Sequence, residues 1–510
     1  MSTNITSNKK IAKNAIFLYL RMFFILIVSL YTSRVVLNVL GVSDYGVYNV
    51  VAGFVLLFGF LNATLSSSMQ RFYNYEGGKR GIDGYKDVYC TGFWIHLFLA
   101  FIIFIILESF GVWYINNVMV IDDARLVAAN YLFHFSAISM VLVILQVPYL
   151  SAIIAKECMD YYAVVSIVDV ILKLIIILAL PYIPQDKLII YGAMSLIIAF
   201  ADFLMYYVYC KRKFLFIKLS TTIDKQIFKE LLLFSSWNLI GTFAVLLKGQ
   251  GLNLLLNNFF STIVNAARGV AFQVNGAISG FTNNLATAFR PQIVDSYAKD
   301  DRQRTQMLMF AESKFCYSLI IVLILPVSLE IDYLLSLWLG NAIPPQTNSF
   351  TILVLIDLLL GTLNAPVTQI AFATGKIRNY QILNSTINLL VIPFCFILLK
   401  VGYAAESVFV ITILSTAINQ IVCLILLHKI FKYSYLKYLY DVFLPCLGMT
   451  IFLPIIPLLI RLNMEESFLR FLLVGMLDVF MALLLTYYII LNKSEKSLIT
   501  KYLYKKYAKN

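Results

Sequence analysis

Four polar residues, Arg268, Asn275, Ser279 and Thr282, recur at offsets of 0, 7, 11 and 14 within the stretch VNAARGVAFQVNGAISGFTNNLATAFRPQIVDSYAKDD, residues 264–301. Wound as a helix at about 100° per residue, they keep to one narrow sector, a polar stripe on an apolar rod. A guanidinium at the centre of a bilayer costs about 3 kcal/mol even on the lenient insertion scale, so this stripe must face protein or water. Arginine beside amides and hydroxyls suits an anion, and the fork of donors on Arg268 matches a phosphate.

Four more cations fall inside apolar runs: Arg21, Arg34, Lys173 and Lys248. Lys173 follows Asp169 by four residues, which puts both on one helical face, either as a structural ion pair or as a coupling site for an ion or proton. Lys248 shares its run with a stripe of Ser235, Asn238, Thr242, Gly249 and Asn253, but points about 110° away from it. It joins the stripe only if Gly249 and Gly251 let the helix rotate or its long stem bends round; otherwise it packs. Arg21 and Arg34 lie about 140° apart on a straight helix, and each is near enough to an end to snorkel. The economical reading is a wet cationic cavity for an anion, built from Arg21, Arg34, Lys248, Arg268 and Asn275.

Acids are sparser inside these runs: Asp169, Asp202, Asp357 and Asp478. A cation exporter calls for a carboxylate in the first pair of spans of each half, and those spans supply none. His96 and His134 read as packed histidines. The chain has no GxxxxGK[ST] loop, HExxH or GxSxG, and none of its seven cysteines forms a CxxC, so neither an enzyme nor a metal cofactor is expected.

The elements that carry these residues follow from composition. Of 510 residues, 61% are hydrophobic and 13% charged, with mean hydropathy +0.83, which describes a polytopic membrane protein. Apolar runs of spanning length, from 12–40 to 467–491, predict about 14 transmembrane helices. Most of the 40 lysines and arginines fall on alternate connections, so the net charge of +13 is a topology signal, not a nucleic-acid footprint. The positive-inside rule then puts both termini in the cytoplasm. The external connections, among them residues 41–43, 181–187 and 339–349, are too short for a folded catalytic domain.

A shift of 219 positions pairs Leu37 with Leu256, Asn38 with Asn257, Val51 with Val270, Ala52 with Ala271 and Arg71 with Arg290. Both copies fall at the second span of a run of six, as expected of parallel repeats. The predicted organisation is an N-lobe of spans 1–6 (residues 1–210), a basic cytoplasmic linker (211–226), a C-lobe of spans 7–12 (227–436), spans 13 and 14 (437–492) and a basic cytoplasmic tail (493–510). The tail interleaves lysines with apolar residues, as a helix lying on the inner leaflet would.

The segments LGVSDYGVYNVV (40–51), SSSMQRF (66–72) and above all the long stretch from Val264 to Ala298 resemble the bacterial O-antigen and polysaccharide flippases of the multidrug/oligosaccharidyl-lipid/polysaccharide exporter superfamily. The resemblance extends over nearly the whole chain. It implies an all-α polytopic membrane protein of two six-helix lobes with a MATE-like V shape, plus two C-terminal helices, in the bacterial inner membrane. It further implies that an undecaprenyl-pyrophosphate-linked oligosaccharide is flipped to the outer leaflet by alternating access, for O-antigen, lipopolysaccharide or capsule assembly, with other assembly proteins as partners. Carried over by position, Arg21, Arg34, Lys248 and Arg268 are cavity residues, while Arg71 and Arg290 are cytoplasmic-gate or lipid-headgroup contacts. Coupling to Na⁺ or H⁺ accompanies this expectation. The same shift of 219 sets Asn49 opposite Arg268 and Ser29 opposite Lys248, so the cavity charge is not symmetric. Two other readings stand beside it: a cation-coupled multidrug antiporter of the same superfamily, and a membrane polysaccharide polymerase.

Overall fold

In hydrocarbon every backbone N–H and C=O must be satisfied within the chain, so long runs of Leu, Ile and Phe close on themselves as helices. The computed structural model describes residues 2–492 apart from 57, 58, 118–120, 122, 221, 222, 261 and 340–342, together with 495 and 496. Among the described residues the regular structure is wholly helical, and 11 helices are long and apolar enough to cross a membrane. This is a multi-pass membrane protein. Packing divides the chain into two compact units, residues 1–242 with 294–300, and residues 243–293 with 301–510.

The first unit holds α1 (Ser2–Leu56), α2 (Gly59–Arg80), α3 (Ile82–Ile106), α4 (Val112–Asn117), α5 (Asp123–Leu145), α6 (Val147–Ala155), α7 (Met159–Ala179) and α8 (Lys187–Lys213). The turn expected at residues 41–43 is absent, because α1 stays helical to Leu56. Glycine and serine tolerate a helix, and with no proline there nothing forces the backbone to leave it. A tight connection does occur between α2 and α3, where a Cβ on Gly84 would run into the Glu76 carbonyl oxygen. Leu107, Ala129, Leu132, Phe133 and Ile144 form the core between α3 and α5.

At the other end of this unit Arg125 bridges two acids, donating from Nη1 to Asp186 at 2.5 Å and from Nη2 to Asp44 at 2.6 Å. Asp186 also caps α8 by accepting from the Leu188 and Ile189 amides. The basic segment after α8 is strapped to α3, since Trp94 Nε1 donates to the Ser220 carbonyl at 3.0 Å and Cys90 Sγ to that of Lys218.

Two further helices, α9 (Lys225–Phe259) and α10 (Thr262–Ala298), contribute to both units. The second unit continues with α11 (Arg302–Leu329), α12 (Ile331–Leu339), α13 (Thr347–Thr362), α14 (Ala365–Thr374), α15 (Arg378–Val401), α16 (Glu406–Phe431), α17 (Tyr435–Tyr438), α18 (Leu444–Phe452), α19 (Ile455–Asn463) and α20 (Phe468–Leu485). Leu256, Ala267, Ala271, Phe350, Cys395 and Phe409 make its core, with the Phe350 and Phe409 rings 4.5 Å apart. Among the described residues α10, 37 residues long, is not one of the 11 helices that meet the length and apolarity of a span.

The final hairpin is pinned to α11 at both ends. Arg470 on α20 holds Glu330 at 2.7 Å, both side chains buried. Buried Lys314 donates to the Ile490 carbonyl at 3.1 Å and to Glu495 at 2.9 Å.

Candidate functional site

The stripe read from the sequence lines a cavity. In the second unit a space of about 430 Å³ is bounded by Arg268, Asn275, Ser279 and Thr282 from α10, and by Lys248 from α9. Arg268 is held from three sides. Its Nη2 donates to the Gly249 carbonyl at 2.9 Å, its Nη1 donates to Asn253 Oδ1 at 3.2 Å, and its guanidinium lies 4.5 Å over the Phe272 ring. These contacts fix the plane of the fork and leave its remaining donors for an anion. Lys248 lines this cavity from α9, which stays helical through Gly249 and Gly251.

A carboxylate shares the space. Asp357 of α13 lines the same cavity, lies within electrostatic reach of Lys248, and accepts from Thr416 Oγ1 at 2.5 Å. Two cations and one acid therefore face a cavity otherwise lined by amides, hydroxyls, aliphatic groups, the Phe272 and Phe409 rings and Cys316.

The first unit has a cavity of its own, about 620 Å³, lined by Arg21, Asn62, Tyr162, Asp169, Lys173 and Asp202 among others. The Arg21 guanidinium sits 4.4 Å over the Tyr162 ring, and Lys173 holds Asp169 at 2.8 Å, the ion pair anticipated from their spacing. Asp202 of α8 interacts with both Asp169 and Lys173. Each unit thus presents an arginine laid on an aromatic ring and a lysine beside an aspartate, from positions that the 219-residue shift does not superpose.

The remaining expected residues are placed as follows. Arg71 is 6% exposed and enclosed by the rings of Phe72, Tyr75 and Phe234, at 4.5, 4.6 and 5.3 Å. Arg290 lies within electrostatic reach of Glu312, a fully buried acid that accepts from Gln369 Nε2 at 2.6 Å. Arg34 lies outside the residues whose side chains are described, as does the tail apart from 495 and 496. His134 pairs with Glu108 at 2.8 Å, and His96 is buried against the Gly92 carbonyl. Among the described residues no group of three or more His, Cys, Asp or Glu could hold a metal.

Both cavities hold carboxylates, from α7 and α8 in the first unit and from α13 in the second. Asp202 and Asp357 were visible as acids in apolar helices, but their neighbours are 33 and 59 residues away along the chain, beyond any local spacing rule.

No family model and no curated sequence matches the chain. Solved structures do. An outward-facing MATE family multidrug resistance transporter of the MOP superfamily aligns with a TM-score of 0.73 over 84% of this chain and 96% of its own, at 12% identity. The fold is that of the MATE transporters. A MATE protein in a bent conformation gives 0.73 at 13% identity, over 84% of this chain and 96% of that one. A MOP superfamily transporter from Pyrococcus furiosus, described as having a binding pocket of reverse polarity that suggests a different function, gives 0.69 at 12% identity, over 82% and 96%. The MATE fold therefore accounts for more than four-fifths of the chain.

Proposed function

We propose that this chain is a membrane transporter that flips an undecaprenyl-pyrophosphate-linked oligosaccharide across the cytoplasmic membrane by alternating access. The observation that carries the reading is Arg268, oriented by Gly249, Asn253 and Phe272 in a cavity it shares with Lys248. The two cations would receive the diphosphate, and Asn275, Ser279, Thr282 and Thr412 would meet sugar hydroxyls. Asp357 tempers the positive charge, which favours release over permanent capture. Arg21 would serve as a second contact, Arg71 and Arg290 as parts of a cytoplasmic gate, and Asp169 with Asp202 as the Na⁺ or H⁺ coupling site. The resemblance of the long α10 segment to polysaccharide flippases supports the cargo.

A cation-coupled multidrug antiporter is the second reading, and the acids Asp169 and Asp202 in the first unit's cavity favour it. One experiment separates the two. Purified protein in liposomes carrying a short undecaprenyl-pyrophosphate oligosaccharide is followed for cargo accessible on the opposite leaflet, with an ethidium efflux arm alongside. Cargo transfer lost in Arg268→Ala supports the flippase and its site. Ethidium transport driven by a Na⁺ or pH gradient, without cargo transfer, establishes the antiporter.

A further inference from the structure

A strongly basic surface lies outside both cavities, where α8 gives way to the segment that leads to α9. Both helices are long and apolar enough to span a membrane. A connection between consecutive spans begins and ends at one face of the bilayer, so residues 214–220 and Ile223 lie at that surface.

One side of this segment is fixed to the protein. Phe216 and Ile217 are buried, and the Phe216 ring stacks on Tyr85 at 5.0 Å and on Phe214 at 5.3 Å. The carbonyls of Lys218 and Ser220 are held by α3 as described above. The other side is apolar and turned outward: Leu215 is 77% exposed, and Leu219 and Ile223 are exposed too. Aliphatic side chains held out at a membrane surface by a fixed backbone are covered by lipid.

The cations stand where such lipids carry their headgroups. Ile197, Phe200, Leu204 and Val208 are exposed along α8 at steps of three and four residues, which makes one ridge on the helix. The same steps from Val208 lead to Lys211 and Arg212, both exposed, and exposed Lys213 and Lys218 bracket Leu215. Lys211 donates to the Tyr207 hydroxyl at 3.2 Å and Lys213 to that of Tyr209 at 2.7 Å. Asp160 lies within electrostatic reach of Lys213, but among the described residues no carboxylate forms a salt bridge with Lys211, Arg212, Lys213 or Lys218. A ridge for acyl chains that ends in cations, with further apolar side chains beside them, matches an acidic phospholipid in both its parts.

We propose that the end of α8 and the strap that follows it form a dock for acidic phospholipid. Lys211, Arg212, Lys213 and Lys218 meet the phosphates, while Leu215 and Leu219 enter the acyl region. The dock holds α8 to one leaflet whichever cargo is carried.

The test uses the full-length protein in neutral mixed micelles titrated with phosphatidylglycerol, with thermal unfolding as the readout. Wild type should gain Tm with a defined midpoint in phosphatidylglycerol. The triple variant Lys211→Gln, Arg212→Gln, Lys213→Gln should move that midpoint upward at least about fivefold, the worth of one cation near an anionic surface. The control Lys429→Gln, Lys432→Gln, Lys437→Gln removes the same charge from another exposed connection and should leave the midpoint within about twofold. No gain in wild type, or equal midpoints in the two triple variants, overturns the dock. A second measurement follows the extra fluorescence of Leu215→Trp over wild type in nanodiscs. Quenching by phospholipid with brominated chains supports the insertion of this side chain, and quenching by aqueous iodide instead refutes it.

Discussion

Arg268 reaches across the α9–α10 hairpin to the carbonyl oxygen of Gly249, with Nη2 to oxygen at 2.9 Å. The bond fixes the angle at which the guanidinium meets the cavity, while Phe272 supports its flat face at 4.5 Å. A lysine can supply the charge at this position but neither the fork nor the stacking.

We therefore expect Arg268→Lys to fold normally and to lose about 10- to 100-fold in the initial rate of cargo transfer, the range of one charge-assisted hydrogen bond plus a cation–π contact. Arg268→Ala should lose at least as much. The measurement is transfer rate in liposomes beside Tm; a rate within twofold of wild type for Arg268→Lys would mean that only charge matters there.

Asp357→Asn removes the acid from the second unit's cavity while leaving an acceptor for Thr416. Lys248 then faces the space without its counter-charge. Binding of a soluble pyrophosphate-linked sugar should tighten and turnover should slow, a split readable by calorimetry and transport on one preparation. Weaker binding in this variant contradicts the assignment of the cavity to an anion.

Removing Arg470 leaves Glu330 buried without its cation, and removing Glu330 leaves buried Arg470 only the Met464 carbonyl and exposed Glu466 at 3.6 Å, so Arg470→Met and Glu330→Met should each lower Tm more than the double replacement does. The coupling energy from the cycle should fall at about 0.5–3 kcal/mol. Strict additivity would show that the pair does not fasten the last hairpin.

The Arg125 guanidinium holds the Asp186 carboxyl below the usual carboxylate range. Its contribution to stability is complete above the ordinary carboxylate pKa of about 3.9 and disappears as pH falls through the lowered native value. Wild type should therefore lose stability more steeply than Asp186→Asn on acidification below about pH 4. Parallel Tm–pH curves for the two proteins would show that this contact carries no pH-dependent stability.

What the sequence disclosed was local. The stripe on α10 could be read because its residues repeat with the helical period, and the Lys173–Asp169 pair because four residues make one turn. Asp202 beside Asp169 and Asp357 beside Lys248 depend on which helices pack together, and no spacing encodes that. The missing turn at 41–43 has a similar cause: glycine and serine permit a turn, but a helix in lipid loses its hydrogen bonds by making one. Arg268 was legible as a cavity residue, while the carbonyl that orients it was not.

The pinning of α11 also has a consequence in time. Lys314 and Glu330 leave the ribosome long before their partners Glu495 and Arg470, which follow by 181 and 140 residues. At 5–20 residues per second that is a wait of roughly 7–36 s. Through that interval α11 carries a lysine and a glutamate that the finished protein buries, so they must stay hydrated or be sheltered by the insertion machinery. A nascent chain cut short before α20 would end with both charges exposed, a mark by which quality control could tell an unfinished molecule from a complete one.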